Sequence, residues 1–296
     1  MFLLGRKTSK AGSYILHREL VGHLGAVVTL RTSEDGKFLA SGGTDGTKVW
    51  DVRSDRPLEA PQSSAVLGAT TAVIWVKNED DLNLALWSGT ERGYLICWKA
   101  VARKCIVTEP AEITCLAYDA PSNRLVVAHR GGVVQMYTIG SDMTLSEGFS
   151  KTLDNVVPKA VAFGTLHANE RDILVFSLYD GDIFTLRGGK QVEKPCNVGA
   201  LIGDVAVDVH KKVLCMDDPS TGANLYRLDG KNIVHIKTFK VAVTKRKRAR
   251  QTAFVDEGKY IVIGSNHGVV YVFDRRSGEV VDELKVDVQE WVQTLT

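Results

Sequence analysis

Short runs in which apolar and polar residues alternate recur along the whole chain, and turn residues separate them. This period of two is typical of half-buried β-strands, and no run has the 3.6-residue period of an amphipathic helix. One unit is repeated: an apolar strand, a turn that ends in glycine, and a second strand that closes on an aromatic or large apolar residue. The pattern predicts an all-β protein built from repeated hairpins.

The repeated hairpin also predicts the size of the structural unit. Six copies occupy residues 39–50, 84–98, 125–137, 173–186, 213–226 and 261–273. Their turn glycines are Gly46, Gly93, Gly132, Gly181, Gly222 and Gly268. Glycine suits a tight hairpin because it has no Cβ to clash at positive φ. The glycines follow one another at intervals of 39 to 49 residues, close to the ~40–45 residues of a four-stranded propeller blade.

Two further strands accompany each hairpin. A β-rich run precedes each one, at residues 26–33, 70–76, 113–119, 159–165, 202–209 and 251–257. More polar runs follow the hairpins, for example residues 103–109, 233–239 and 279–286. Their charge fits an edge strand, whose unpaired backbone must be protected. We therefore predict one propeller domain over residues 13–296, with residues 1–12 as an N-terminal extension.

Residues 20–53 resemble a WD40 repeat. Gly22-His23 stands where that family has its Gly-His pair, and Trp50-Asp51 matches its Trp-Asp pair. The resemblance implies a WD40-type β-propeller, in which a buried network of side chains satisfies polar groups and makes the blade rigid. In this chain the implied structural network is His23, Ser41, Asp45 and Trp50. The later copies are degenerate, because they keep the strand pattern and lose most of these motif residues.

Residues 14–20 resemble the N-terminal strand that completes the last blade of WD40 rings. We expect this strand to pair with residues 288–295, and residues 2–4 could add a short piece of the same blade. The predicted fold is a seven-bladed propeller with an incomplete last blade: six full blades plus a partial seventh closed by the N-terminal strand. The pattern leaves two explanations open, a truncated chain or an open ring.

Composition and charge narrow the possible functions. The 296 residues include 37 Lys and Arg and 35 Asp and Glu, which gives a formal net charge of +2 at pH 7. This balance creates no global field for a membrane surface or a nucleic acid, so any electrostatic role must come from a local patch. No apolar stretch approaches the ~18 residues of a membrane-spanning helix. We therefore expect a soluble protein without membrane contact.

The five cysteines form no C-x-x-C pair. Cys97, Cys115 and Cys215 lie in apolar, strand-like runs and are interpreted as small buried hydrophobic residues. This usage favours a reducing compartment over a disulfide framework. We expect an intracellular protein, located in the cytoplasm, the nucleus or both.

Catalytic and metal-binding patterns are absent from the sequence. It has no G-x-S-x-G elbow, P-loop, H-E-x-x-H or G-x-G-x-x-G, and none of its seven histidines stands at ligand spacing from another His or Cys. Residues 180–182 (DGD) could begin a calcium loop, but a hairpin turn explains them better because no further ligands follow. Residues 217–219 (DDP) are interpreted as turn chemistry. We predict no catalytic residue, no cofactor and no metal.

One charged segment differs from its neutral surroundings. Five of the six positions from 245 to 250 are cationic: Lys245, Arg246, Lys247, Arg248 and Arg250. We predict that this basic segment is exposed, because cations that repel one another cannot be buried without partners. Such a segment suits nuclear import, an acidic partner or a nucleic-acid backbone, with import favoured. A solvated loop without a role is the alternative.

These features together predict a monomeric, non-catalytic protein-interaction scaffold, because loops on a rigid framework commonly carry binding residues. Other proteins are the expected partners, and nucleic acid is less favoured. Two alternatives stay open. One is a small-ligand or enzymatic site in the propeller channel, and the other is a truncated propeller that retains no partner.

Overall fold

The computed structural model consists almost entirely of β-strands. It describes residues 2–6, 14–61, 64–77, 84–99, 102–229, 232–242, 247–286, 292 and 294–295. Within these ranges the one helical element is a 3-10 turn at Ala120–Ser122. No helix of the described chain has the length and apolar character needed to cross a lipid bilayer.

The chain divides into two compact units. The four-blade unit contains residues 23–198, and the two-blade unit contains residues 1–22 together with 199–295. Each unit is built from antiparallel sheets in which neighbouring strands follow chain order, except that the last short strand of the fourth blade pairs with its third strand. The single domain expected over residues 13–296 stays a prediction.

The N-terminal residues form a two-stranded sheet in the two-blade unit, where β1 (Phe2–Arg6) pairs with β2 (Tyr14–Glu19). The expected N-terminal extension therefore includes a strand. The backbone amide of Tyr14 donates a hydrogen bond to the Asp282 carboxylate over 2.6 Å, which ties β2 to the last blade of this unit. Most of residues 288–295, the predicted partner of β2, lie outside the described residues, so that pairing stays a prediction.

Four sheets make up the four-blade unit, and they succeed one another along the chain. The first blade consists of β3 (Val27–Thr32), β4 (Phe38–Gly43), β5 (Gly46–Asp51) and β6 (Arg56–Leu58). The second consists of β7 (Thr70–Lys77), β8 (Leu84–Thr90), β9 (Tyr94–Lys99) and β10 (Ala102–Val107). The third consists of β11 (Ile113–Asp119), β12 (Arg124–His129), β13 (Val133–Ile139) and β14 (Leu145–Thr152). The fourth consists of β15 (Pro158–His167), β16 (Glu170–Ser177), β17 (Asp182–Arg187), β18 (Lys190–Gln191) and β19 (Cys196–Asn197).

The two-blade unit contains the remaining two blades. The fifth blade consists of β20 (Asp204–Asp208), β21 (Val213–Asp218), β22 (Gly222–Asp229) and β23 (Asn232–Lys240). The sixth consists of β24 (Thr252–Val255), β25 (Tyr260–Ile263), β26 (Val269–Asp274) and β27 (Val280–Lys285). A succession of such antiparallel sheets defines the β-propeller class. The predicted all-β propeller fold is therefore confirmed, with six described blades and the separate β1–β2 sheet.

Strands of the four-blade unit bury side chains on both of their faces. In β12, Leu125 and Val127 lie in an apolar cluster shared with the second blade, which contributes Trp87. The alternate residues, Val126 and Ala128, lie in a second cluster shared with the fourth blade. Alternate side chains of a strand point to opposite faces. A strand of a blade that packs between two neighbouring blades must therefore be apolar at nearly every position.

The six predicted turn glycines all adopt positive φ, between +69° and +140°. At Gly93 a second constraint operates, because a Cβ there would lie 1.7 Å from the carbonyl oxygen of Glu109. This carbonyl belongs to the connection between the second and third blades, so the missing side chain lets the two segments approach. Gly36 has a similar φ of +68°, but no atom lies within 4 Å of its Cβ position.

Replacing Gly93 with Ala should lower the free energy of unfolding by about 2–5 kcal/mol, because the new Cβ displaces the Glu109 backbone and strains φ. Gly36→Ala is the matched control, since it adds only the φ strain of about 1–2 kcal/mol. Urea denaturation of both variants measures the difference. Equal stability of the two variants would contradict the close approach at Gly93.

Candidate functional site

The first blade brings the four residues of the predicted network together. His23 lies in the segment before β3, and its Nδ1 is 2.5 Å from Oδ1 of Asp45. Its Nε2 is 2.5 Å from Oγ of Ser41. The Trp50 ring lies beside the imidazole, with 6.0 Å between the ring centroids. Ser41 and Trp50 are buried, so the imidazole replaces the water that the serine hydroxyl loses on folding.

Asp45 ties the His23 segment to the turn between β4 and β5. Its Oδ2 accepts a hydrogen bond from the Leu24 amide over 2.9 Å. Desolvation raises the pKa of Asp45, but the hydrogen bonds from His23 and Leu24 favour the charged form and bring the pKa down to about 2. The carboxylate is therefore ionised at neutral pH, where it holds both the imidazole and the backbone.

The order Asp45–His23–Ser41 matches the hydrogen-bond chain of a hydrolase catalytic triad. In those enzymes the serine oxygen must reach a substrate carbonyl. Ser41 is 0% exposed and lies within β4, so a substrate carbonyl has no access to its Oγ. The arrangement supports a structural role, in which the network satisfies buried polar groups and links a connecting segment to a turn.

The basic segment has parts with different surroundings. Lys245 and Arg246 lie outside the described residues. Lys247 is exposed, and its Nζ donates a hydrogen bond to Oγ of Ser220 over 3.1 Å. Arg248 is half-buried. The described cations at 247 and 248 therefore lie at or near the surface of the two-blade unit.

Arg250 corrects the prediction that the whole basic segment is exposed, because only 1% of its surface is accessible. Its Nε and Nη2 lie 2.8 and 2.7 Å from Oδ1 of Asp217. Nη2 also donates to the carbonyl oxygen of Asp218 over 2.6 Å, and the Arg250 amide donates to Oδ2 of Asp217 over 2.8 Å. A cation with a charged partner and hydrogen bonds can be buried where an unpaired one cannot. Arg250 is therefore not part of the candidate binding surface.

Asp217 is the residue that sequence reasoning missed. The sequence pattern predicts a turn at this residue, but Asp217 lies within β21 and is fully buried. Burial raises the pKa of Asp217 to about 7, although the neighbouring Arg250 favours the charged form. A signal was present in the sequence, because an acidic residue follows the apolar run 213–216 directly. A carboxylate that continues a buried strand needs a cation, and the basic segment supplies one.

Three other titratable side chains, His129, Cys97 and Cys215, are buried within the blades. His129 is fully buried between the Ala111 carbonyl and the Gln135 side chain, at 3.2 and 3.1 Å, and burial lowers its pKa. Burial also raises the pKa of the Cys215 thiol, which suppresses the reactive thiolate. Cys97 is buried as well, in agreement with its interpretation as a small apolar residue. Among the described residues, no group of three or more His, Cys, Asp or Glu side chains is arranged to hold a metal ion.

The blades and the first-blade network define the class of this protein. Residues 15–51 match the family model described as "WD domain, G-beta repeat", and this range contains all four residues of the network. The matched repeat forms the first of six successive blade sheets, so the chain has a β-propeller fold in which one blade matches the WD40 repeat model.

Two curated proteins are similar to part of the chain. It is 26% identical over 140 residues to "Small ribosomal subunit protein RACK1z" of Arabidopsis thaliana. It is 27% identical over 140 residues to "Small ribosomal subunit protein RACK1" of Brassica napus. Each alignment covers 42% of this chain and 43% of the relative, so the chain aligns with less than half the length of either relative.

The pKa of Asp45 predicts a pH dependence of stability. Its folded value of about 2 lies below the ~3.9 of an unfolded Asp. The stabilisation is therefore complete above about pH 4 and is lost as the pH falls through about 2. Asp45→Asn should lower the free energy of unfolding by about 1–3 kcal/mol near neutral pH, and this difference should shrink in acid. Urea denaturation at a series of pH values measures the difference in the free energy of unfolding between the variant and the wild-type chain. The control is Asp180→Asn, which changes an exposed residue. A stability difference that does not depend on pH would argue against an ionised network.

Removing the Arg250 side chain should be costly. Arg250→Ala leaves the Asp217 carboxylate buried without its cation, so we expect a loss of about 3–5 kcal/mol in the free energy of unfolding. Lys247→Ala, in the same segment but exposed, should change it by less than about 0.5 kcal/mol. Chemical denaturation compares the two variants. Similar stabilities would mean that the ion pair contributes little.

Proposed function

We propose that the chain is a non-catalytic protein-interaction scaffold built on a WD40 β-propeller. The main support is that exposed apolar side chains lie in a connecting segment and in a turn, next to the buried strands of the blades. Leu24 is 96% exposed and Tyr179 is 60% exposed. The Leu24 amide is also bound to Asp45, so this segment is ordered before any partner arrives. Loops held on a rigid framework are where binding residues concentrate.

A catalytic role has less support. In the Asp45–His23–Ser41 hydrogen-bond chain, Ser41 is buried and inaccessible to a substrate. The Cys215 thiol is also buried, and burial raises its pKa. Neither group can attack a substrate from its present position. Two hypotheses compete with the scaffold. One is a ligand site in the propeller channel, and the other is a propeller without a partner. Unlike the scaffold, neither requires protein partners.

The relatives support a role in assembly. Both relatives are named as small ribosomal subunit proteins. From this we propose only that the present chain, as a monomer, also docks onto a larger assembly inside the cell. The particular assembly is not carried over, because each alignment covers less than half of the relative.

We further propose that the basic segment, now restricted to residues 245–248, binds an acidic partner. The exposure of Lys247 supports this proposal. The burial of Arg250 supports it as well, because Arg250 fixes the end of the segment to the fold. A nuclear-import signal is the second use of the same cations.

Chemical cross-linking in the native cell, followed by mass spectrometry, tests the scaffold. An unrelated propeller of similar net charge serves as the control. We expect specific proteins to be cross-linked to turn segments of this chain and not to the control. The absence of any protein partner above the control would contradict the scaffold and favour one of the competing hypotheses.

A second arm of the experiment tests the basic segment. One variant replaces its cations with Ser: Lys245, Arg246, Lys247 and Arg248. The matched control replaces four exposed lysines: Lys190, Lys194, Lys211 and Lys212. Loss of a cross-linked partner in the first variant alone would support acidic docking, and loss of nuclear fluorescence of a fusion would support import. Unchanged partners and location would reduce the segment to solvated surface.

A further inference from the structure

Exposed cations of the two-blade unit gather around one turn. This turn, residues 218–222, joins β21 to β22. Lys247 reaches it from the basic segment, with its Nζ 3.1 Å from Oγ of Ser220. Lys240, at the end of β23, pairs across the sheet with Gly222 and is exposed. Two cations from different segments therefore flank the same turn.

The turn itself is ordered by Asp218. Its carboxylate accepts a hydrogen bond from the Ser220 amide over 2.8 Å and another from Oγ1 of Thr221 over 2.7 Å. Asp218 is 9% exposed, whereas Ser220 and Thr221 are exposed. Because Oγ of Ser220 accepts from Lys247, its own proton is available as a donor. The turn thus presents a hydroxyl donor beside the Lys247 ammonium group, and the exposed Lys240 is paired with the last residue of the turn.

Arg250 holds the basic segment against this turn from the buried side. Its Nη2 donates to the Asp218 carbonyl over 2.6 Å and approaches the Gly222 carbonyl at 3.5 Å, which are the two ends of the turn. Its Nη1 is buried and has no hydrogen-bond partner among the described residues. One side chain therefore sets the position of the turn and of the end of the basic segment together.

We propose that Lys240, Lys247 and the Ser220 hydroxyl form an anion-docking site for an acidic protein segment, and that Arg250 is its positioning residue. The inference rests on the proposed scaffold function, and it adds to the basic segment a cation from β23, a hydroxyl and an anchor. Ammonium groups beside a hydroxyl donor match the oxygens of a carboxylate or a phosphate. Glutamate or aspartate side chains and phosphoserine share this chemistry.

An acidic protein segment fits this site better than a nucleic acid does. Binding to a nucleic-acid backbone usually engages many phosphates at once and needs an extended array of cations. This chain has a net charge of only +2, and the site is confined to one turn and its two flanking segments. A single carboxylate or phosphate on a protein chain matches that size.

Fluorescence anisotropy with the full chain tests the site. The probes are a Glu-rich peptide of about 12 residues, its phosphoserine and Gln analogues, and a single-stranded RNA of the same length. Both acidic peptides should bind and weaken with salt, and the Gln peptide should not bind. Lys240→Ser with Lys247→Ser should weaken binding roughly fivefold or more, and Ser220→Ala roughly twofold. Lys211→Ser with Lys212→Ser is the matched control and should change affinity less than roughly twofold.

Three results would overturn the inference. The first is equal weakening by the two double-lysine variants, and the second is failure of both acidic peptides to bind the wild-type chain. The third is tighter binding of the RNA with the same dependence on Lys240 and Lys247, which would assign the site to a nucleic acid. The scaffold proposal is decided separately, by the protein partners found through cross-linking in the cell.

The positioning role of Arg250 needs a readout that stability alone would not change. Asp217→Asn weakens the anchor and leaves the chemical identity of Lys240, Lys247 and Ser220 unchanged. Amide hydrogens of residues 247–250 should then exchange faster while those of β12 stay unchanged, and the affinity for the acidic peptides should fall roughly threefold. Faster exchange with unchanged affinity would show that Arg250 is structural and does not position the site.

Discussion

Burial of both faces of the blade strands is the constraint on which the rest of this structure depends. A strand such as β12 contributes alternate side chains to two different apolar clusters, one on each side. A blade therefore cannot bury its own apolar surface alone and is stable only beside its neighbours. Because most of these strand positions pack against apolar neighbours, a buried polar residue within a strand, such as Ser41 or Asp217, takes its hydrogen-bonding partner from a connecting segment.

Connecting segments need polar contacts to hold their position, and the chain uses two versions of the same contact. His23 binds Asp45 in the turn of its own blade, whereas Arg250 binds Asp217 in a strand of the preceding blade. The pKa values of the two carboxylates are shifted in opposite directions. Hydrogen bonds outweigh desolvation at the partly exposed Asp45 and lower its pKa, whereas desolvation outweighs the nearby cation at the fully buried Asp217 and raises its pKa. Beside the first contact the exposed Leu24 is bound through its amide to Asp45, and near the second the exposed Lys247 is bound to Ser220.

Features with local causes could be predicted from the sequence. Each hairpin requires positive φ at one position, so glycine marks the turns, and all six glycines have that conformation. The His23 network spans one blade and follows from the resemblance of one repeat. The environment of Arg250 could not be predicted in the same way. Its partner Asp217 lies 33 residues earlier, and a run of cations gives no indication that one member has a buried counter-charge.

The sequence by itself determined the all-β class, the repeat and the strand order, because these depend on a period of two and on turn residues that act within a few positions. Only the tertiary structure decided which charged residues are surface and which are core. Exposure depends on whether a distant carboxylate offers a charge and hydrogen bonds strong enough to offset the cost of desolvation. That balance buries Arg250, leaves Lys247 exposed three residues earlier, and so separates the anchor of the basic segment from the part that can meet a partner.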